Sequence, residues 1–330
     1  MGQKRNKMDN RGYILGLDTS NYRTSIAVVD TDGSIVIDQR TLLKVKKGER
    51  GLRQSEALFQ HVENLPELFE VLAGETFQLS AVAASNKPRP IEGSYMPCFK
   101  AGYGFGKAIA NTFHVPFFVF SHQEGHVEAV KHFSSMDQED SLLVWHLSGG
   151  TCELLRVQDR EIEIVGGSKD ISFGQVIDRV GVLLGMNFPA GEEMDQRALQ
   201  GKLSAEPGRK LLSPIRLDGL TFNLSGIETQ CSRLLQSSEQ KNHELNENFL
   251  IRELFDRIAE TILNVSLRAA EQFGIKHILF AGGVSSSRFI RDKIKNSAEG
   301  NAIQAEFGRP ELSGDNAVGI ALLGRKSLWP

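Results

Sequence analysis

The spacing of apolar and polar positions divides the chain into alternating strands and helices. Residues 14–18 form a short apolar run that ends in Asp-Thr-Ser, and residues 25–29 and 34–38 flank the turn Asp32-Gly33. Two short runs across a glycine turn, with a third just upstream, predict three successive strands. The same order returns in the second half. Residues 142–147 lead into Ser148-Gly149-Gly150-Thr151, residues 152–157 follow, and residues 161–165 come after a polar turn. This repeat of strand, polar loop, strand, turn and strand predicts an internal duplication. Leu58, Phe59, Val62, Leu65, Leu68, Phe69 and Leu72 recur at helical spacing, which predicts a helix over 56–72, split or kinked at Pro66. Further helices are expected over 100–113, 124–133, 174–184, 248–273 and 315–323, and strands over 79–84, 115–120 and 277–281. The polar stretches 202–218 and 237–247 read as loops. Strands alternating with helices imply α/β layers.

A length of 330 residues suits two domains. We expect a flexible basic tail over 1–12, a first subdomain over 13–135, and a second over 136–330 whose last helix packs back on the first. The net charge of -3 excludes a pervasively basic nucleic-acid coat but leaves room for a local basic patch. No run of about 18 apolar residues is present, so no membrane span is expected. The basic N-terminal segment lacks the apolar stretch of a signal peptide, which predicts a cytoplasmic protein. Cys98, Cys152 and Cys231 are an odd, unclustered set, which argues against a disulfide framework and a cysteine-based zinc site.

Candidate chemistry starts with the small-residue loops. Ser148-Gly149-Gly150-Thr151 lies between two predicted strands, and Ala281-Gly282-Gly283-Val284-Ser285 between a strand and a predicted helix. Glycines let backbone N–H groups approach an anion, and a helix N-terminus adds to that attraction. Each loop alone is equally a structural turn. Together with Asp18-Thr19-Ser20 they point to phosphate binding. The run Gly102-Tyr103-Gly104-Phe105-Gly106-Lys107 is not a P-loop, because Ala101 and Ala108 stand where Gly and Ser or Thr are needed. His122 and His126 share one helical face at the spacing a divalent metal requires, although a surface coincidence has the same spacing. Gln123 follows the first histidine where a zinc peptidase needs Glu, which argues against a peptidase. Asp315 reads as a third ligand or as a helix cap. Asp178 and Asp195 read as ribose ligands or as surface carboxylates. The remaining histidines, His61 among them, are assigned to packing or solvent.

Residues 14–20 (Ile-Leu-Gly-Leu-Asp-Thr-Ser), His122-x-x-x-His126, Ser148-Gly-Gly-Thr151, Asp178-Arg-Val-x-x-Leu-Leu-Gly185, Phe222-x-x-Ser-Gly-Ile-Glu-Thr229, Ala281-Gly-Gly-Val284 and Asp315-Asn-Ala317 occur in one order. This set resembles the TsaD family, once described as glycoproteases. The resemblance implies the actin-like ATPase fold shared with sugar kinases and heat-shock chaperones. It implies transfer of threonylcarbamoyl from its adenylate to the tRNA adenosine next to the anticodon. It also implies one iron or zinc held by His122, His126 and Asp315. Contacts to ATP or the adenylate would come from Ser148, Gly149, Gly150, Thr151, Asp178, Gly191, Asp195, Gly282 and Gly283.

Departures accompany the match. The family usually has Cys-Asp-Glu-Thr where this chain has Asn21-Tyr22-Arg23-Thr24, and of a family Pro-Glu-x-Ala-Ser-Arg-x-His stretch only Ala57 and His61 remain. These differences suggest a diverged paralogue whose catalytic positions are Asp18, Tyr22 and Arg23. Arg53, Lys87 and Arg89 are candidates for RNA or acceptor contact. The implied partners are tRNA and either TsaB- or TsaE-type pathway proteins or a second copy of the chain. Two alternatives stay open: acyl transfer to another acceptor, and a nucleotide-binding scaffold without catalysis.

Overall fold

Short apolar runs, buried along nearly their whole length in the first two strands, set up the first sheet. The computed structural model describes residues 12–20, 22–45, 52–75, 78–159, 161–201, 210–241, 245–298, 300–301 and 303–329. The expected basic tail, apart from Gly12, lies outside the described residues, as do Asn21 and parts of both expected loops (202–209 and 242–244). The chain divides into two units: Met1–His132 with Asp315–Pro330, and Phe133–Gly314. The division thus falls between His132 and Phe133, and residues 315–330 belong to the first unit. In that unit β1 (Gly12–Thr19), β2 (Arg23–Asp30) and β3 (Ile35–Leu42) form a meander, followed by α1 (Gln54–Phe69), β4 (Gln78–Lys87), α2 (Phe99–Phe113), β5 (Phe117–Ser121) and α3 (His122–His132). The strand order is β3-β2-β1-β4-β5, antiparallel within the meander and parallel from β1 to β4 to β5. Tyr13, Leu15 and Leu17 of β1 enter a core with Leu65 and Leu68 of α1 and Ala101 and Ala110 of α2. Each fully buried leucine contributes about 1.5–3 kcal/mol. Helix α1 runs unbroken through Pro66, contrary to the expected split. Pro66 sits on the exposed side, so water can meet the carbonyl it leaves unpaired. Residues 70–72 then tighten into a 3-10 turn.

The second unit repeats the plan. Its elements are β6 (Ser141–Leu147), β7 (Cys152–Gln158), β8 (Glu161–Ser168), α4 (Phe173–Leu183), α5 (Gly191–Gln200), β9 (Leu217–Asp218), β10 (Thr221–Phe222), α6 (Ser225–Lys241), α7 (Glu247–Phe273), β11 (His277–Ala281), α8 (Arg288–Ala298), β12 (Gln304–Phe307) and α9 (Pro310–Ser313). The sheet runs β12-β11-β6-β7-β8-β10-β9. Strands β6, β7 and β8 form an antiparallel meander, and β11 lies parallel beside β6. The relation of β4 to β1 is therefore repeated by β11 and β6. This is the duplicated α/β plan expected from the sequence.

Several elements escaped the sequence pattern: α5, α6 and β12, and the short β9, β10 and α9, of which β9 ends the expected loop 202–218. Helix α6 occupies 225–241, where 237–247 was read as loop; among its described side chains only Ile227 and Cys231 are buried, too narrow a stripe to stand out. Its start is held by Asp170, whose carboxylate accepts the N–H groups of Leu224 (2.8 Å) and Ser225 (2.9 Å). Helix α5 carries four acidic or basic residues in ten, and β12 has no fully buried residue. The chain closes with α10 (Val318–Leu328), which returns to the first unit and lies on β1, β4 and α3. It starts three residues after the expected Asp315. Among the described residues no helix is long and apolar enough to cross a membrane.

Candidate functional site

Because Leu15 and Leu17 face α1 and α2, strand alternation turns Asp18 to the opposite face of the first sheet, toward α3 and α10. Helix α3 starts at a capping box. Ser121 N–H donates to Glu124 Oε2 (2.6 Å), and Glu124 N–H donates back to Ser121 Oγ (3.2 Å). His122 and His126 therefore occupy its first turns, one above the other. Helix α10 crosses α3 at Gly319 and Gly125, so closely that a Cβ on Gly319 would stand 1.8 Å from the Gly125 carbonyl oxygen. This crossing brings the segment before α10 to the histidine pair. Ala317 is the N-cap of α10 and carries no side-chain cap; Asn316 Oδ1 accepts the first helical N–H, of Val318 (3.0 Å), and Asp315 does not cap the helix.

Three ligand atoms converge here. His122 Nε2 and His126 Nε2 are 3.0 Å apart, and Asp315 Oδ1 lies 3.3 Å from His126 Nε2 and 3.5 Å from His122 Nε2. Four-coordinate zinc with bonds of about 2.0–2.1 Å separates its ligands by about 3.3 Å. The triangle fits that edge, and two imidazoles with a carboxylate suit zinc or ferrous iron. Behind it, His122 Nδ1 faces Asp18 Oδ1 (3.0 Å) and Oδ2 (3.1 Å). A carboxylate on the far nitrogen fixes the ring and its tautomer for ligation. Asp18 is fully buried. Asp18, expected at a catalytic position, thus lies against His122. Ser20 Oγ donates to Asp315 Oδ2 (2.9 Å), and Arg23 Nη1 donates to the Asp315 carbonyl (3.3 Å). Tyr22 is 46% exposed.

Electrostatics agree with a site built for positive charge. Burial opposes a charged His122, but the charge and hydrogen bond of Asp18, then those of Asp315, outweigh it and hold the ring at about 10. Burial also opposes the Asp315 carboxylate, yet the bonds from His122 and His126 keep it well below the usual carboxylate range. A divalent cation at the triangle would replace that proton, since imidazole binds metal in its neutral form.

The second unit gathers the glycine loops. Leu147↔Cys152 closes the β6–β7 hairpin, and Ala281 of β11 pairs with His146 of β6, so loops 148–151 and 282–286 leave neighbouring strands on one edge. Gly282 has φ +93°, and a Cβ there would meet the Leu147 carbonyl oxygen at 2.3 Å. Only glycine allows the two loops to touch in this way. Thr151 N–H donates to Ser148 Oγ (3.0 Å), and Ser172, the N-cap of α4, donates to the Gly149 carbonyl (2.6 Å). Beside Gly149, Gly150, Gly191 and Gly283 the Cβ position is open space. The loop after β11 does not lead straight into a helix: residues 283–286 form a 3-10 turn, and α8 starts at Arg288. Asp195 caps that helix, accepting Arg288 N–H (3.0 Å), Phe289 N–H (3.2 Å) and Ser287 Oγ–H (2.5 Å). Asp178 accepts Ala190 N–H (2.8 Å). Burial pushes its carboxyl up, against the pull of the Ala190 and Gly191 N–H groups. Both carboxylates, expected at a ribose, are engaged with backbone.

Of the basic candidates, Arg53 stands exposed at the N-cap of α1. Lys87 ends β4, and Arg89 follows Pro88, whose carbonyl accepts the Gln123 N–H beside His122 (3.0 Å). One residue assigned to packing belongs near the centre. His61 is fully buried, with Nδ1 2.8 Å from Thr24 Oγ1, which in turn accepts Asn64 Nδ2–H (3.1 Å). Burial lowers the pKa of His61, against the smaller influence of the Ser20 carbonyl and the Asp18 charge. Its sequence signals are the apolar stripe of Ala57, Leu65 and Leu68 in which it sits and its place, with Ala57, in the family's Ala-x-x-x-His stretch.

The sequence profile of the TsaD family, described as tRNA N6-adenosine threonylcarbamoyltransferase, matches residues 35–322. The chain belongs to the TsaD family. A TsaD-family relative from Enterococcus faecalis, named tRNA N6-adenosine threonylcarbamoyltransferase, is 27% identical over 319 residues, covering 94% of this chain and 88% of its own. A relative of the same name from Streptococcus pneumoniae is 28% identical over 315 residues, covering 94% and 90%. Solved structures carry the fold further. Component A of (R)-2-hydroxyglutaryl-CoA dehydratase from Acidaminococcus fermentans superposes with TM-score 0.54 at 14% identity over 96% of this chain and 99% of that one. A ROK-family glucokinase from Streptomyces griseus superposes with TM-score 0.52 at 13% identity over 96% and 100%. HypF from T. kodakarensis reaches 0.57 at 16% identity, this chain spanning 48% of its length. These are actin-like ATPase folds, and this TsaD-family chain shares that fold.

Proposed function

We propose that the protein is a metal-dependent acyltransferase that moves threonylcarbamoyl from its adenylate to the N6 amine of the tRNA adenosine next to the anticodon. The observation that carries this reading is the convergence of His122, His126 and Asp315 on one point with Asp18 behind them. A family of tRNA-modifying transferases supplies the reaction class. When bound, zinc or iron would supply a Lewis acid for the carbamoyl oxygen or the leaving phosphate.

The chain's own residues supply the rest. Asp18 holds the proton on His122 Nδ1, which leaves Nε2 free to ligate. Ser20 fixes one oxygen of Asp315 and leaves the other facing the histidines. In the second unit, the open backbone at Gly149, Gly150 and Gly283 suits the phosphate of ATP or of the adenylate. Asp178 and Asp195 serve that site by holding the turn before α5 and the start of α8. The amine nitrogen bonds to the carbamoyl carbon, the bond from that carbon to the phosphate oxygen breaks, adenosine monophosphate leaves with that electron pair, and the amine's proton passes to solvent. Lys87 and Arg89, flanking Pro88 next to α3, suit RNA phosphates, and Arg53 extends the basic set. The reading places the protein in the cytoplasm, with tRNA and TsaB- or TsaE-type proteins, or a second copy of itself, as partners. The test is metal content and nucleoside analysis together. Purified protein should carry close to one zinc or iron per chain, and His126→Ala should lose both the metal and the modified adenosine. Transfer by a metal-free protein would refute the reading.

A further inference from the structure

Arg23 is a cation with little to do inside the fold. It opens β2, partly buried, and its one hydrogen bond among the described residues is the 3.3 Å contact from Nη1 to the Asp315 carbonyl. The nearby carboxylates are already engaged. Asp315 gives Oδ2 to Ser20 and Oδ1 to the histidines, and Asp18 gives both oxygens to His122. A partly desolvated guanidinium without a carboxylate is costly unless an anion completes it. One long bond leaves most of its five donors unused, including an edge suited to a planar two-oxygen acceptor.

We propose that Arg23 is a specificity residue that binds the carboxylate of the amino-acid part of the transferred group. The inference rests on the transferase reading above. A threonylcarbamoyl group carries an α-carboxylate three bonds from the carbamoyl carbon, a span of about 4 Å or less. A residue hydrogen-bonded to the backbone of Asp315 is well set to hold that carboxylate while the carbamoyl carbon lies at the triangle. The adenylate phosphate is a second anion that could meet the same guanidinium, and the experiment separates the two.

The test uses the full-length, metal-loaded protein and two non-transferable analogues of threonylcarbamoyl-adenylate in which a sulfamoyl group replaces the phosphate. One keeps the carboxylate, and the other carries the neutral, isosteric carboxamide. Calorimetry gives the Kd of each for the native protein, Arg23→Gln and Arg23→Lys, with metal content measured on every sample. The native protein should prefer the carboxylate by roughly tenfold to a hundredfold, as a charge-assisted pair predicts. Arg23→Gln should lose that preference while binding the carboxamide as the native protein does, and Arg23→Lys should keep part of it. Unchanged metal content shows that the triangle is intact. An unaltered preference in Arg23→Gln overturns the inference. An equal loss for both analogues also overturns it, because Arg23 would then act through Asp315 or on the adenylate end. Failure of the native protein to bind either analogue refutes the transferase reading itself, and this inference with it.

Discussion

Gly319→Ala should dismantle the metal centre while leaving the fold largely intact. In the structure its Cβ would stand 1.8 Å from Gly125 O, 2.6 Å from Gly125 C and 3.0 Å from Ala129 N. All three are α3 backbone atoms, which cannot rotate away. Carbon and carbonyl oxygen ordinarily approach no closer than about 3.3 Å, so α10 must retreat from α3 by about 1.5 Å at this point. Asp315 stands four residues before the crossing, and its Oδ1 lies 3.3 and 3.5 Å from the two Nε2 atoms. A shift of that size would open these separations to about 4.5 Å or more, against the roughly 3.3 Å edge a tetrahedral ion spans. Overpacking costs about 1–3 kcal/mol. Alanine returns about 1 kcal/mol of helix propensity, so a net loss of up to about 2 kcal/mol remains. Loss of a protein ligand should instead weaken metal binding by more than the roughly 10–100-fold seen for outer-shell changes. Metal affinity is therefore the informative readout, measured by competition against a calibrated chelator. Gly104→Ala, also in the first unit, has open space at Cβ and serves as the control with the same propensity gain. Equal affinity in Gly319→Ala and Gly104→Ala would refute the claim that the α3–α10 crossing delivers Asp315.

Other expectations follow from single contacts. Asp18→Asn should lower metal affinity by about 10–100-fold, because His122 Nδ1 loses its carboxylate; chelator competition reads it, and an unchanged Kd would remove Asp18 from the site. Asp170 is pulled well below the usual carboxylate range: its modest burial acts the other way, but the N–H groups of Leu224, Ser225 and Ile171 prevail. A depressed folded pKa stabilises above the unfolded value of about 3.9 and loses that effect as pH falls through the folded one. Asp170→Asn should therefore cost about 1 kcal/mol of stability near pH 7, with a gap to the native protein that narrows below about pH 4. Denaturant melts across that range test this, and a gap independent of pH would contradict it. Burial pushes the Cys98, Cys152 and Cys231 thiols up to about 12, so iodoacetamide at pH 8 should modify the native protein far more slowly than the unfolded chain.

What the sequence made legible depended on how local each signal is. Both meanders were readable because short apolar runs and the turns between them act within a few residues, and the duplication followed from their order. The pairing of His122 with His126 was readable because one helical turn joins them. The place of Asp315 was not, because nearly 190 residues separate it from His126 and a glycine crossing between two helices closes that gap. The helix N-cap is Ala317, and the first helical N–H bonds to Asn316, so the cap role that Asp315 could have filled is not its own. Asp18 stood in a recognisable loop, yet only the fold shows that it faces a histidine instead of solvent. Asp195 read as a ligand because a carboxylate in a loop looks alike whether it holds a ribose or a helix start 93 residues on. His61 lay in an apolar stripe, where a buried histidine and a leucine give the same periodicity, so periodicity did not set it apart and only its place in the family stretch did.

The most direct test is reconstitution of the whole reaction. The native protein, ATP, threonine, bicarbonate, an adenylate-forming enzyme, the pathway partners and unmodified tRNA are combined, and the nucleosides are resolved by mass spectrometry. The account predicts threonylcarbamoyl-modified adenosine with the native protein and none with His126→Ala. Absence of product from the native protein, with a relative such as the Enterococcus faecalis enzyme active in parallel, would contradict it.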